Sequence, residues 1–179
     1  MDRSAVLALV FLLAACGSDG EHDLTGPTVP GFRIESPAFA DGARIPDRFT
    51  GHGEDVSPAL SWTGVPGGTA ELLLIVDDPD APIDEPFVHW VVAGIAPGTN
   101  GIAEGGVPDG AVVGTNHFTK TRYRGPKPPA GKVHHYRFRL YALDTRLGLA
   151  AGVTKRDALA RARDHVVAMA ELVGTYSVD

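Results

Sequence analysis

The sequence predicts a mainly β protein, with a β-sandwich or β-barrel-like core and one packed C-terminal α-helix. Two observations support this fold class. The 179 residues include 22 Gly and 14 Pro, scattered through the chain as turn residues between short apolar segments. Several of those segments alternate apolar and polar residues, which is the period of a half-buried strand. Only one segment, near the C-terminus, has helical spacing instead.

Five segments have the character of strands. The segment at 86–95 is apolar on both faces, as a central strand is. The last segment alternates most clearly and places His134 and Tyr136 on one face and Arg137 on the other. The five are FRIESPAF (32–39), ALSW (59–62), AELLLIVD (70–77), PFVHWVVAGI (86–95) and VHHYRFRLYALD (133–144).

The predicted helix begins after Thr154, which forms a capping-box pattern with Asp157. Gly174 is the residue expected to end it. The apolar residues between them recur at helical spacing: Leu159, Ala162, Val166, Met169 and Val173.

The first 31 residues are expected to lie outside the domain. The apolar run at 5–15 is too short to span a membrane comfortably and is typical of a signal peptide. It ends in LAAC, which resembles the lipobox of bacterial lipoproteins, so residues 1–15 would be removed and Cys16 lipidated. The alternative is an ordinary secretory signal with an incidental cysteine. Residues 16–31 would then be the lipidated N-terminus and a flexible tether, and residues 32–179 the domain.

These expectations place the protein in a bacterial cell envelope, anchored to a membrane by lipid, with its domain outside the cytoplasm. Cys16 is the only cysteine, which excludes a disulfide, a thiolate zinc site and, once it is lipidated, a cysteine nucleophile. The net charge of −6 argues against nucleic acid as a partner.

Charge is unevenly distributed along the chain. Residues 71–90 contain six acidic residues and no Lys or Arg, whereas residues 111–143 contain seven basic residues and no acid. Two interpretations are open: the basic segment presents itself to an anion, or it simply pairs with the acidic segment.

The stretch DDPDAPIDEPFVHW (77–90) has more acids and prolines than a surface turn needs. Asp78 and Asp80 are two residues apart, so in an extended segment they would point the same way. His89 follows on a central strand, while His134 and Tyr136 stand at the end of an apolar stripe. Such a set can ligate a cation, or it can bind an anion through protonated histidine and the tyrosine hydroxyl. The simpler alternative is that these side chains are core residues with satisfied hydrogen bonds.

Several motifs resemble the phosphatidylethanolamine-binding protein family, and most of all its bacterial branch, the Raf kinase inhibitor-like proteins. They occur in the family's order and cover roughly residues 32–179. The resemblance implies a β-sandwich-like core with a C-terminal helix. The motifs are DPDAP (78–82), VHW (88–90), GTN (114–116), YRGPKPP (123–129) and HHYRFRLYALD (134–144).

What the resemblance implies is a small surface pocket for phosphate-type anions, including the phosphoethanolamine head group. Residues 125–129 would form its rim, and Ala81–Pro82 would be a cis peptide bond. Lys127, where bacterial members often have a small residue, would either strengthen anion binding or block the pocket. The implied ligand-binding residues are Asp78, Pro79, Asp80, His89, Gly125, Pro128, His134 and Tyr136.

The expected function is therefore that of a binding module without catalytic residues, metal or cofactor. Its partners would be an anionic small molecule or a phospholipid head group, and the membrane through the N-terminal lipid. Two alternatives stay open: an inhibitor or scaffold that docks a kinase or protease as its protein partner, and a metal-assisted phosphoester hydrolase. Against the hydrolase, the sequence has no HExxH or GxSxG motif and no evident nucleophile with its base.

Overall fold

The computed structural model describes residues 23–179, so the predicted signal peptide and the predicted lipidation site, Cys16, lie outside the described residues. None of the helices in the described part of the chain has the length and hydropathy needed to span a bilayer. The elements are β1 (Arg33–Glu35), a 3-10 helix (Asp47–Phe49), β2 (Leu60–Thr63), β3 (Glu71–Asp78), β4 (Phe87–Ile95), β5 (Gly101–Ile102), β6 (Val112–Val113), β7 (His134–Leu143), α1 (Lys155–Ala162), a second 3-10 helix (Arg163–His165) and β8 (Val166–Tyr176).

The strands form two antiparallel sheets, which confirms the predicted mainly β fold class. The smaller sheet has the order β1-β2-β5, and the larger has the order β6-β4-β3-β7-β8. Leu74 and Phe138 of the large sheet share one apolar core with Trp62 of the small sheet. The opposite face of the large sheet packs against Ala158 and Leu159 of α1. All eight residues of the central strand β3 are therefore buried.

The C-terminal helix begins as predicted but ends twelve residues before Gly174. The Thr154 hydroxyl accepts a hydrogen bond from the Asp157 amide at 3.1 Å, and the helix then ends at Ala162. Residues 166–173, expected to continue the helix up to Gly174, instead belong to β8, which pairs with β7 along its whole length. Alternate residues of β8 from Ala168 to Tyr176 are buried, which is a strand period. Pairing with the edge of β7 therefore overrides a helical spacing that the same apolar residues also satisfy.

Gly174 does not end a helix as predicted; the structure requires a glycine there for a different reason. It lies within β8, where a Cβ atom would come within 2.5 Å of Ile45 and 2.9 Å of Phe39. Its lack of a side chain lets the loop that precedes the first 3-10 helix pack on the strand.

Part of the predicted flexible tether is packed against the domain. We call residues 23–30 the strap. The Tyr141 hydroxyl donates to the Leu24 carbonyl at 3.2 Å, and the Met169 amide donates to the Pro27 carbonyl at 3.1 Å. The packed part of the chain therefore begins before Phe32, where the sequence had placed the start of the domain.

Candidate ligand-binding site

The candidate site lies at one end of the strands of the large sheet, where the end of β3 meets the starts of β4 and β7. Because β3 is antiparallel to both neighbours, the DPDAP loop and the two histidine-bearing strands come together there. A cavity of about 170 Å³ opens at these strand ends. Its polar lining residues are Asp78, His89, Lys127, His134 and Tyr136; Phe87, Phe118, Ala81 and three prolines form the apolar walls.

His134 and Asp78 form a buried pair in the floor of the cavity. The Nδ1 atom of His134 lies 2.7 Å from Oδ2 of Asp78, and each side chain is at most 5% exposed. The other carboxylate oxygen accepts a hydrogen bond from the Asp80 amide at 2.8 Å. A carboxylate can only accept here, so Nδ1 of His134 carries the proton and Nε2 is left for a ligand.

His89 is oriented by the main chain of the opposite wall. Its Nδ1 atom donates to the Arg124 carbonyl at 2.6 Å, and its ring meets the Tyr136 ring edge-on at 5.2 Å. Burial lowers the pKa of the His89 imidazole below 6.5, although the Arg124 carbonyl and the Asp78 carboxylate act in the opposite direction. The unliganded ring is therefore neutral at pH 7, with Nε2 as an acceptor that becomes a donor on protonation.

Tyr136 supplies a hydroxyl that does not ionise at physiological pH. The residue is almost fully buried. Burial first, and then the negative charge of Asp78, raise the pKa of the Tyr136 hydroxyl well above its usual range. The group therefore remains protonated, and its proton is used in a hydrogen bond to the Asp78 carboxylate.

The side chains of Asp78 and Asp80 point in different directions, although the sequence predicted the same direction. The chain turns after Asp78, and Oδ2 of Asp80 accepts hydrogen bonds from the amide and Nδ1 of His135, both at 2.8 Å, on the exposed face of β7. Burial would raise the pKa of the Asp80 carboxyl, but the hydrogen bonds from His135 lower it. The sequence argument assumed an extended segment, which the turn interrupts. Asp80 and Pro79 thus lie outside the lining of the cavity.

Gly125 also lies outside the lining, but it fixes the wall that His89 uses. Its amide donates to Oδ1 of Asp55 at 2.7 Å, and Asp55 also pairs with Arg124 at 3.0 Å. A Cβ atom on Gly125 would lie 2.2 Å from the Phe49 carbonyl oxygen. The chain then continues into the wall residues Lys127 and Pro128. All described peptide bonds are trans, including Ala81–Pro82, for which the resemblance implied cis.

Sequence reasoning missed the aromatic wall formed by Phe118. The ring lies 4.9 Å from Phe87 and 5.7 Å from His89. Asn116 holds its loop in place: the side-chain oxygen accepts from the Phe118 and Lys120 amides, both at 3.0 Å. Phe118 sits in a loop without periodicity, so the GTN motif that contains Asn116 was the only signal available.

The described residues contain no group of three or more His, Cys, Asp or Glu side chains placed to hold a metal ion. The basic segment pairs in part with the acidic segment, and in part it lines the cavity. Arg137 and Arg139 pair with the buried Asp77, whereas Lys127 lines the cavity. The cavity stays open with Lys127 in its wall.

Comparison with known proteins gives the same family from sequence and from structure. The family model described as phosphatidylethanolamine-binding protein matches residues 35–177. A UPF0098 protein of Methanothermobacter thermautotrophicus is 49% identical over 148 residues, which cover 80% of this chain and 97% of that protein. A Mycobacterium tuberculosis protein named "Putative lipoprotein LppC" is 42% identical over 190 residues, covering 97% of this chain and 94% of the relative.

Two solved structures have the same fold. YbcL of Escherichia coli, described as a member of the mammalian PEBP family, superimposes with a TM-score of 0.79 at 29% identity, over 83% of this chain and 99% of YbcL. CT736 of Chlamydia trachomatis has a TM-score of 0.78 at 38% identity, with the same coverage. The chain therefore belongs to the phosphatidylethanolamine-binding protein family.

Proposed function

We propose that the cavity binds a phosphate-type anion, such as the phosphoethanolamine head group, and that the protein is a binding module and not an enzyme. One observation carries the proposal. His89, His134 and Tyr136 converge on a cavity of about 170 Å³, and both imidazoles have Nδ1 committed to the protein. Their two Nε2 atoms remain for a ligand and, once protonated, they suit two of the acceptor oxygens of a phosphate group.

The walls suit the rest of a phosphoethanolamine molecule. Phe87 and Phe118 lie within 6 Å of the His89 ring, so an ammonium group beside the bound phosphate would meet aromatic faces. Binding is favoured over hydrolysis through a covalent intermediate because, among residues 23–179, neither imidazole is hydrogen-bonded to a hydroxyl nucleophile.

Anion affinity should rise as the pH falls. Binding at Nε2 of His89 favours the imidazolium, so one proton is taken up with the anion. The rise should begin at the higher pKa of the anion-bound imidazolium and, because burial holds the pKa of the free His89 imidazole below 6.5, continue below pH 6.5, by up to about tenfold per pH unit. Isothermal calorimetry with an aminoethyl sulfonate, whose charge is fixed, would measure this without titration of the ligand itself.

Two comparisons make this test decisive. His134→Ala should weaken binding by about 10–100-fold, the loss of one charge-assisted hydrogen bond, whereas His135→Ala, on the exposed face, should bind like the wild type. Affinity that is flat with pH and unaffected by His134→Ala would contradict the assignment. Affinity that decreases as the pH is lowered, and that disappears with a chelator, would favour a metal site, since protons compete with metal for imidazole.

The second part of the proposal is that Cys16 anchors the protein to a membrane by lipid. Its support is the LAAC sequence and a relative with a lipoprotein name that aligns over 97% of this chain. Cys16→Ser should abolish lipid attachment and leave an unprocessed precursor or a released protein, because stable attachment requires the acyl chains. Metabolic labelling with palmitate, followed by fractionation, measures both outcomes. Wild-type protein found wholly in the soluble fraction would contradict the anchor.

A further inference from the structure

A buried cluster of charges lies on the face of the large sheet opposite to the cavity. Tyr136 of β7 faces the cavity, so the neighbouring Arg137 and Arg139 face the other way. They meet Lys155, the first residue of α1, and the two carboxylates of Asp77 and Asp23. Asp77 comes from β3, but Asp23 comes from the strap, more than 110 residues away from β7 along the chain.

Asp23 bridges all three cations. Its Oδ1 atom lies 2.6 Å from Nη2 of Arg139 and 2.9 Å from Nζ of Lys155, and its Oδ2 atom lies 2.8 Å from Nη2 of Arg137. Burial would raise the pKa of the Asp23 carboxyl, but hydrogen bonds and charge from Arg139 and Lys155 hold it far below its usual range. The ionised Asp23 side chain thus occupies the three cations in the way that a free carboxylate ligand would.

The cluster needs this second carboxylate. With Asp23 in place, three cations face two carboxylates; without it, they would face Asp77 alone. Arg139 and Lys155 are each at most 8% exposed, and buried cations without enough counter-charge are strongly unfavourable. A lysine at the first position of a helix is also disfavoured by the helix dipole, so the carboxylates must account for the position of Lys155.

The cations have donor capacity beyond what Asp23 uses. Nε of Arg139 is buried and has no hydrogen-bond partner among the described residues. Most buried donors in folded proteins are paired, so this group is a donor that Asp23 leaves unsatisfied. With the strap released, an oxyanion placed differently from the Asp23 side chain could accept from it.

The strap itself is weakly covered. Four of its residues are exposed: Thr25, Pro27, Thr28 and Pro30. Besides Asp23, its contacts with the large sheet include the hydrogen bonds of the Leu24 and Pro27 carbonyls and the packing of Leu24 on the core beneath α1. Val29 also packs on the main core, and Gly26 lies close to β8. The ion pairs of Asp23 are therefore the contacts of the strap that a free anion could replace.

We propose that Arg137, Arg139 and Lys155 form a second anion-binding site, in which Asp23 is the resident ligand and a small oxyanion, carboxylate or phosphate, takes its place when the strap leaves. The consequence for the tether rests on the proposed lipid anchor. With Asp23 bound, six residues lie between the domain and Cys16, and the seven steps along the chain span at most about 25 Å. With the strap released to residue 31, the span reaches about 50 Å. Anion binding at this site would let the domain move farther from the membrane.

The test is chemical rescue of Asp23→Ala in the full-length protein. The variant should unfold at a lower temperature than the wild type, and acetate should raise its melting temperature by about 3–6 °C at ten times the dissociation constant. Sodium chloride of equal ionic strength provides the reference. The wild type and Asp109→Ala, which removes an exposed acid, should shift by less than about 1 °C. Phosphate, which is also proposed to bind the cavity, should raise the melting temperature of Asp23→Ala by about 3–6 °C more than it raises that of the wild type.

Hydrogen exchange separates the site from the strap. The Met169 amide donates to Pro27 of the strap, so it should exchange at least about tenfold faster in Asp23→Ala, and acetate should restore the melting temperature but not this protection. Equal shifts in all three proteins, or none, would overturn the proposal. If Asp23→Ala does not fold, Asp23→Asn tests the same rescue with a side chain of the same shape. Because no lipid enters the assay, the result is independent of the anchor and of the cavity.

Discussion

Asp77→Asn is expected to lower the free energy of unfolding by about 3–5 kcal/mol, the cost of removing one partner from a buried ion cluster. Asp77 is fully buried. Its oxygens accept hydrogen bonds from Arg137 at 3.0 Å, from Lys155 at 2.6 Å and from Arg139. With an amide at this position, three cations would face Asp23 alone, in a place that water reaches poorly.

Urea denaturation of the full-length protein would measure this loss. Asp80→Asn is the matched control, because Asp80 is about 40% exposed and pairs only at the surface with His135; its effect should stay within about 1 kcal/mol. Equal losses in the two variants would mean that the buried cluster contributes no more than a surface pair.

This cluster shows which parts of the structure the sequence can predict. The alternation in residues 133–144 correctly predicted that Arg137 faces away from Tyr136. It gave no sign of what would cover that face. The covering residues are Asp23, in a segment whose Gly and Pro content indicated a free tether, and Lys155, at a helix start. Contacts across such sequence separations leave no local pattern.

The last strand shows a different limit. Thr154 correctly marked the start of the helix because capping is a local interaction. The apolar residues from Val166 onward satisfy a helical and a strand period at once. The open edge of β7 decides between them by offering a full ladder of hydrogen bonds, and a single sequence does not contain that information.

At the cavity, the motifs implied most of the lining. Asp78, His89, Pro128, His134 and Tyr136 all line it. Pro79, Asp80 and Gly125 belong to the same motifs but act on the other side of the turn or behind the wall. A motif records which residues occur together, and only the backbone path shows which of them line the cavity.

The role of Gly125 leads to the second large expected effect. Gly125→Ala should reduce affinity for the sulfonate probe by about 10–100-fold, which is the loss of one charge-assisted hydrogen bond. The added Cβ would lie 2.2 Å from the Phe49 carbonyl oxygen and 2.7 Å from the Thr50 Cα. These are backbone atoms, so the segment that carries Gly125 must move. The carbonyl that orients His89 belongs to Arg124, the preceding residue in the same peptide unit.

Three measurements on Gly125→Ala follow from this geometry. Calorimetry should show the weaker binding, and the His89 ring signals should shift in NMR spectra because the hydrogen bond to the Arg124 carbonyl is disturbed. Denaturation should show a loss of about 1–3 kcal/mol, as is usual for overpacking. Gly98→Ala is the control, since Gly98 is exposed and a Cβ there would meet nothing within 4 Å. Unchanged affinity in Gly125→Ala, with the His89 signals in place, would mean that the wall yields without disturbing the imidazole, and that the Arg124 carbonyl does not set the geometry for the anion.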